Sequence, residues 1–148
     1  MNYFYIAIAI LAGGFFALQP PINGSVADKL NSSLLAALIS FFVGTVLLVI
    51  VNLTIGTKLP PSEKLQAIPW WLWLAGGAIG AFVVSAAIII QPKIGAGGWV
   101  ACYIFGQLTM SILLDNYGLL NLEIHPINAM RLIGVFLLAI GATLVARY

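Results

Sequence analysis

Charge is what this sequence has least of: six Lys and Arg and four Asp and Glu, 7% of 148 residues, against about 25% in soluble domains. That scarcity excludes a soluble globular fold. The net charge of +2 is scattered rather than clustered, so nucleic acid is not a partner. A single cysteine, Cys102, excludes a disulfide framework; inside an apolar span it reads as a small buried side chain. The one histidine, His125, precedes Pro126 in a polar loop without a second ligand nearby, which argues against a metal site. No nucleophile is paired with a base, so neither an enzyme nor a cofactor is expected. A charge ring or carbonyl filter, the marks of a channel, is missing as well.

What remains is apolar: 62% hydrophobic residues and a mean hydropathy of +1.10. Five apolar spans run roughly from Tyr3 to Asn23, Leu34 to Leu53, Trp70 to Ile90, Gly97 to Leu114 and Ala129 to Ala146. Each is near the roughly 20 residues that cross a bilayer core of about 30 Å. The first has no positive charge in Met1-Asn2-Tyr3 and outruns a signal-peptide core, so it reads as a retained helix. The predicted fold is an all-α integral membrane protein, one domain of five transmembrane helices. The connections, about 6 to 16 residues, leave no soluble part to carry an activity.

Orientation in a bilayer normally follows an excess of Lys and Arg on the cytoplasmic side. Lys58, Lys64 and Arg131 fall on the face of the N-terminus, and Lys29, Lys93 and Arg147 on the other. The tie predicts a chain that inserts both ways round and works as an antiparallel homodimer, the two-chain version of an inverted repeat.

Polar residues within the spans are few enough to weigh singly. Pro20 and Pro21 deny backbone donors to the carbonyls of Phe16 and Ala17 and predict a kink in the first helix. Irregular backbone is tolerated in a membrane where protein, water or a ligand meets it. Gln19 and Asn23, four apart and so on one face, are then either substrate amides or a tie to a neighbouring helix. Ser32 or Ser33 can cap the second helix. Ser40, Gly44 and Thr45 in that helix suit close packing. Trp70, Trp71 and Trp73 read as an interfacial anchor, followed by Gly76 and Gly80 in GxxxG spacing. In the fourth span Trp99, Tyr103, Gln107 and Ser111 recur at steps of four. That stripe suits a pocket for a small planar or polar solute, or an interhelical hydrogen-bond seam. Asp115, at that helix's end before the capping residue Gly118, either bridges to Arg131 or serves as a protonatable group. Gly134 and Gly141 nearly align on the fifth helix and assign it to dimerisation.

The chain resembles the YdcZ-like family of small bacterial membrane proteins, within the drug/metabolite transporter superfamily. The resemblance covers nearly the whole length. It rests on Gln19 and Asn23, Ser40-Phe41 with Gly44-Thr45, Pro69-Trp70-Trp71 with Gly76-Gly77, Gly95-Ala96, Gly106-Gln107, Asp115 with Gly118, and Arg131 with Gly134. It implies a five-helix unit in a bacterial inner membrane, equivalent to one half of ten-helix transporters whose halves are inverted, and it implies transport without naming a substrate. Small multidrug exporters of similar size carry a Glu in their first helix; here no acid precedes Asp28. A buried charge is costly unless paired, so Gln19, Asn23, Trp99, Tyr103 and Gln107 should favour a neutral or zwitterionic solute. The expected function is secondary transport by alternating access. The competing reading is a structural or assembly membrane protein whose amides only hold helices together.

The charge tie is directly testable. With Cys102 replaced by Ala and one cysteine appended after Tyr148, a membrane-impermeant thiol reagent should label about half of the molecules in intact cells relative to broken ones. Labelling near zero or near completion means a single orientation.

Overall fold

The computed structural model describes residues 3–148; Met1 and Asn2, whose lack of charge entered the signal-peptide argument, lie outside the described residues. In chain order the elements are α1 (Tyr3–Leu30), α2 (Ser33–Ile55), a short α3 (Ser62–Gln66), α4 (Trp70–Tyr117), a 3-10 turn (Leu119–Asn121) and α5 (Ala129–Arg147). Four of them, α1, α2, α4 and α5, are long and apolar enough to cross a membrane, which makes this an all-α membrane protein. Large hydrophobic side chains stand exposed along all four, among them Phe15, Phe42, Phe82 and Phe136. In water that surface would be a liability. In a bilayer it is the face toward lipid.

The backbone ends these helices by local means. Asn31 takes a left-handed φ of 51° after Leu30, and the Ser32 N–H donates to the Ala27 carbonyl at 3.1 Å. That pattern is a Schellman closure with Asn in the place glycine usually fills. The same Ser32 opens α2, its Oγ accepting from the Leu35 N–H at 3.2 Å. One residue thus terminates one helix and caps the next, as its sequence position suggested. The polar turn is shorter than expected: Asp28 and Lys29 remain inside α1, which runs seven residues past Asn23. At the other end of α2, Gly56 at φ 71° and Thr57 close a second Schellman pattern on the Asn52 carbonyl at 3.0 Å.

Two compact units make up the chain, Met1–Ile89 and Ile90–Tyr148. In the first, a core of Ala27, Ala36, Ala37, Val84 and Ile88 joins α1, α2 and the first part of α4. Three of its five members are alanine, a composition that lets helices approach closely. Gly80 of α4 takes part, since a Cβ there would lie 3.1 Å from Phe41 Cζ of α2. In the second unit Gly97 and Gly98 of α4 meet α5, where added Cβ atoms would lie 3.3 Å from Val145 Cγ1 and 3.4 Å from Ala146 Cα. The close packing foreseen for Gly76, Gly134 and Gly141 is not made among the described residues: nothing lies within 4 Å of a Cβ built on any of them.

The long helix α4 is helical across the residues expected to separate two spans. Pro92 sits within it, and the departure from helical geometry is at Gly95, with φ 79° and ψ 159°. That region is open essentially to glycine alone. Helicity likewise continues through Pro20 and Pro21 in α1.

Gly95→Ala should lower stability by about 1–3 kcal/mol, read as an earlier thermal unfolding transition in detergent. Gly13→Ala, at an open helical position of α1, should instead leave stability unchanged or raise it by up to about 1 kcal/mol.

Candidate functional site

In the first unit, α1 buries Pro20, Asn23 and Ala27, three positions on one face of a 3.6-residue helix. Asn23 is 7% exposed, and its Nδ2 donates to Ser40 Oγ of α2 at 3.3 Å. The bond crosses from α1 to α2 beside a groove of about 260 Å³ lined by Gln19, Ser40, Phe41, Gly44, Thr45 and Leu48. Gln19 is half-buried and makes no hydrogen bond to another described residue, which leaves its amide donors and acceptor available. The Thr45 hydroxyl donates to the Phe41 carbonyl at 2.9 Å, so its oxygen can still accept. The sequence favours packing over chemistry for Ser40, Gly44 and Thr45. Their spacing did place them on one face; what it lacked was the groove across from Gln19.

In the second unit, Trp99 and Tyr103 stack with ring centroids 5.9 Å apart and planes 23° from parallel. Both are half-buried, whereas Gln107 and Ser111 are exposed. The stripe therefore has an ordered aromatic end and an open polar end.

The second unit also has a dense set of polar contacts where α4 leads into α5. Gly118, at φ 60°, ends α4; a Cβ there would lie 2.7 Å from Ile124 Cγ1, so the chain returns directly over it. Leu120 and Asn121 are also left-handed, at 58° and 63°, an arrangement that costs on the order of 1 kcal/mol or more per residue. Contacts back to α4 offset this. The His125 N–H donates to the Asp115 carbonyl at 2.9 Å, and the Ile127 N–H to Asn116 Oδ1 at 3.0 Å. Asn128 Oδ1 accepts from the Arg131 N–H at 2.9 Å and so caps α5. Arg131 Nη1 lies 3.3 Å from Asp115 Oδ2 and 3.0 Å from the His125 carbonyl oxygen. Both side chains of the ion pair are 31% exposed. Water screens such a pair, and its contribution is about 1 kcal/mol or less. The geometry is that of a fastening which holds the re-entry into α5.

One polar residue that sequence reasoning passed over is Gln91. It is 7% exposed and makes no hydrogen bond to another described residue. The signal was in the periodicity: Val84, Ala87, Ile88 and Gln91 fall at i, i+3, i+4 and i+7, and all four are buried. A polar side chain completing an apolar face brings hydrogen-bonding capacity to an otherwise apolar stripe of α4.

Arg131→Gln should destabilise the chain by about 1 kcal/mol, and Asp115→Asn by no more. Their double mutant should be less than additive when unfolding in detergent is followed by helical signal.

A comparison with protein families matches residues 4–144 to the family described as "Putative inner membrane exporter, YdcZ". Neither the curated proteins nor the solved structures give a match.

Proposed function

This chain belongs to the YdcZ family and is a multi-pass inner membrane transporter, and from that premise we propose that it exports a small neutral or zwitterionic metabolite. The observation that carries this reading is the groove between α1 and α2. Its polar wall is an amide and two hydroxyls, from Gln19, Ser40 and Thr45, and its apolar wall includes the ring of Phe41. No acid or base lines it. An ion of one sign entering such a groove would leave water with no counter-charge to meet it, at a cost of several kcal/mol. A neutral or internally balanced solute exchanges its water hydrogen bonds for those of the amide and hydroxyls. Asn23, bonded to the lining residue Ser40, ties α1 to α2 beside the groove, and Pro20 and Pro21 provide the hinge that lets this part of α1 move. In the second unit, the Trp99 and Tyr103 rings with Gln107 and Ser111 supply an aromatic and polar face suited to the same class of solute. Gln91 adds a further amide.

The working assembly in this proposal is an antiparallel homodimer of five-span chains. At 1.5 Å per residue the 48 residues of α4 would extend about 72 Å, more than twice a bilayer core. Gly95 divides them into stretches of about 25 and 22 residues, each suited to one crossing. Five crossings put the two termini on opposite faces of the membrane, and the three-against-three division of Lys and Arg gives no preference for either orientation. Two copies in opposite orientations supply the inverted pair on which alternating access rests. Gly134 and Gly141, with open space around them, are left for the partner's helix.

Cells that overproduce the chain should accumulate the exported solute in their medium, and Gln19→Leu or Gln107→Leu should lower that flux about tenfold, the effect of losing one hydrogen bond of about 1.4 kcal/mol. Chemical cross-linking should show the dimer intact. Unchanged flux in these variants overturns the site, and an exported solute carrying a net charge overturns the class. Gln91→Met, close in volume and without the amide, should change thermal stability by less than about 1.5 kcal/mol, while export falls.

A further inference from the structure

On the second unit, α4 and α5 converge at Gly97 and Gly98 against Val145 and Ala146 and then part to leave a groove of about 390 Å³. Its walls are Cys102 and Phe105 from α4 and Ala139, Ala142, Thr143 and Ala146 from α5, with Arg147 at its end. A second hollow of about 270 Å³ shares Ala139 and Thr143 and continues along α5 past Ile140 and Leu144. Thr143 offers no free proton to an occupant, since its hydroxyl donates to the Ala139 carbonyl at 2.8 Å. The walls are therefore apolar along their length. The charge is confined to Arg147, in the last turn of α5, and its guanidinium has no acceptor among the described residues.

We propose that this groove binds an anionic phospholipid, with an acyl chain lying along Ala139, Ala142, Thr143 and Ala146 and the phosphate on Arg147. Three observations favour that occupant. The cation lies in the last turn of a helix long and apolar enough to cross a membrane, and basic residues at the ends of such helices take anionic headgroups. A guanidinium without an acceptor matches phosphate oxygens in geometry and charge. The remaining walls bear no donor for a polar solute but fit hydrocarbon.

The groove is distinct from the surfaces used in the transport reading. At 100° per residue its α5 wall lies roughly 140° around the helix from Gly134 and Gly141, the face left for a partner chain. Cys102 and Phe105 lie on the side of α4 roughly opposite the Trp99 to Ser111 stripe. Lipid and transported solute would thus occupy separate places, and the lipid proposal does not depend on the identity of the solute.

Native mass spectrometry of the purified full chain, released from detergent with equal amounts of phosphatidylglycerol and phosphatidylcholine of matched acyl chains, tests it. The unmodified chain should retain phosphatidylglycerol over phosphatidylcholine by about fivefold, the factor that one basic side chain supplies at an anionic surface. Arg147→Gln should bring the ratio to about one; it removes an exposed side chain without internal partners and leaves the fold intact. Cys102→Phe, which fills the groove from an exposed position, should reduce retention of both lipids. Equal retention in the unmodified chain overturns the proposal. So does a preference that survives Arg147→Gln, which would place the headgroup on another cation, or one that survives Cys102→Phe, which would leave the groove without a part in binding. Displacement of the lipid by inorganic phosphate alone, or a groove emptied of lipid by dimerisation, also overturns it.

Discussion

A peptide group in hydrocarbon has no water to turn to, and nearly everything in this chain follows from that constraint. Every N–H and C=O must find a partner within the protein, so the spans are helical, and each helix end needs a closure. Much of the chemistry of the connections serves that need. Asn31 and Ser32 close α1 and open α2 within two residues. Gly56 and Thr57 close α2. At the end of α4, the returning segment supplies the His125 N–H to a terminal carbonyl, and Asn128 supplies a side-chain oxygen to the first turn of α5. The left-handed Leu120 and Asn121 are tolerated because the contacts of that turn fix the path around them.

The same constraint separates the polar residues of the spans into two kinds. Thr45, Asn52, Thr109 and Thr143 turn their side chains onto carbonyls of their own helix and are satisfied without any neighbour. Gln19, Asn23, Gln91 and Gln107 do not make such bonds. Asn23 is held by another helix, whereas the three glutamines remain available. Hydrogen-bonding capacity that the fold leaves unspent inside a membrane is the raw material of a solute pathway, and in the transport we propose it is amide rather than carboxylate. A transporter built on amides discriminates by shape and hydrogen bonding, where one built on a carboxylate selects cations.

Glycine has two roles that look alike in sequence and differ in space. Gly80, Gly97 and Gly98 bring helices together within the chain, where a methyl group would press on Phe41, Val145 or Ala146. Gly76, in GxxxG spacing with Gly80, and Gly134 and Gly141, seven apart, have nothing within 4 Å of an added Cβ among the described residues. GxxxG spacing reports that a helix is prepared for close approach; it does not report which helix approaches, or whether that helix belongs to the same chain.

The sequence by itself determined whatever depends on local chemistry. Apolar runs set the approximate place of the long helices, although two expected spans are continuous in α4, Ser32 and Gly118 marked boundaries, and scarce charge set the solvent. The boundaries it misplaced are those where helix propagation outlasted the apolar signal, through Asp28 and Lys29 and through Pro92, because polar residues at a membrane edge extend a helix as readily as they end one. Only the tertiary structure decided which polar side chains meet. Periodicity put Gln19 and Asn23 on one face of α1 but could not show that Ser40 would take the amide of one and that a groove would open beside the other. It left Asp115 two roles, of which the structure forms the ion pair, with Arg131 at 3.3 Å, and it gave no weight to Gln91 or to the hollow ending at Arg147. Helix formation is settled within a few residues along the chain, whereas burial and pairing depend on groups brought together from distant parts of it.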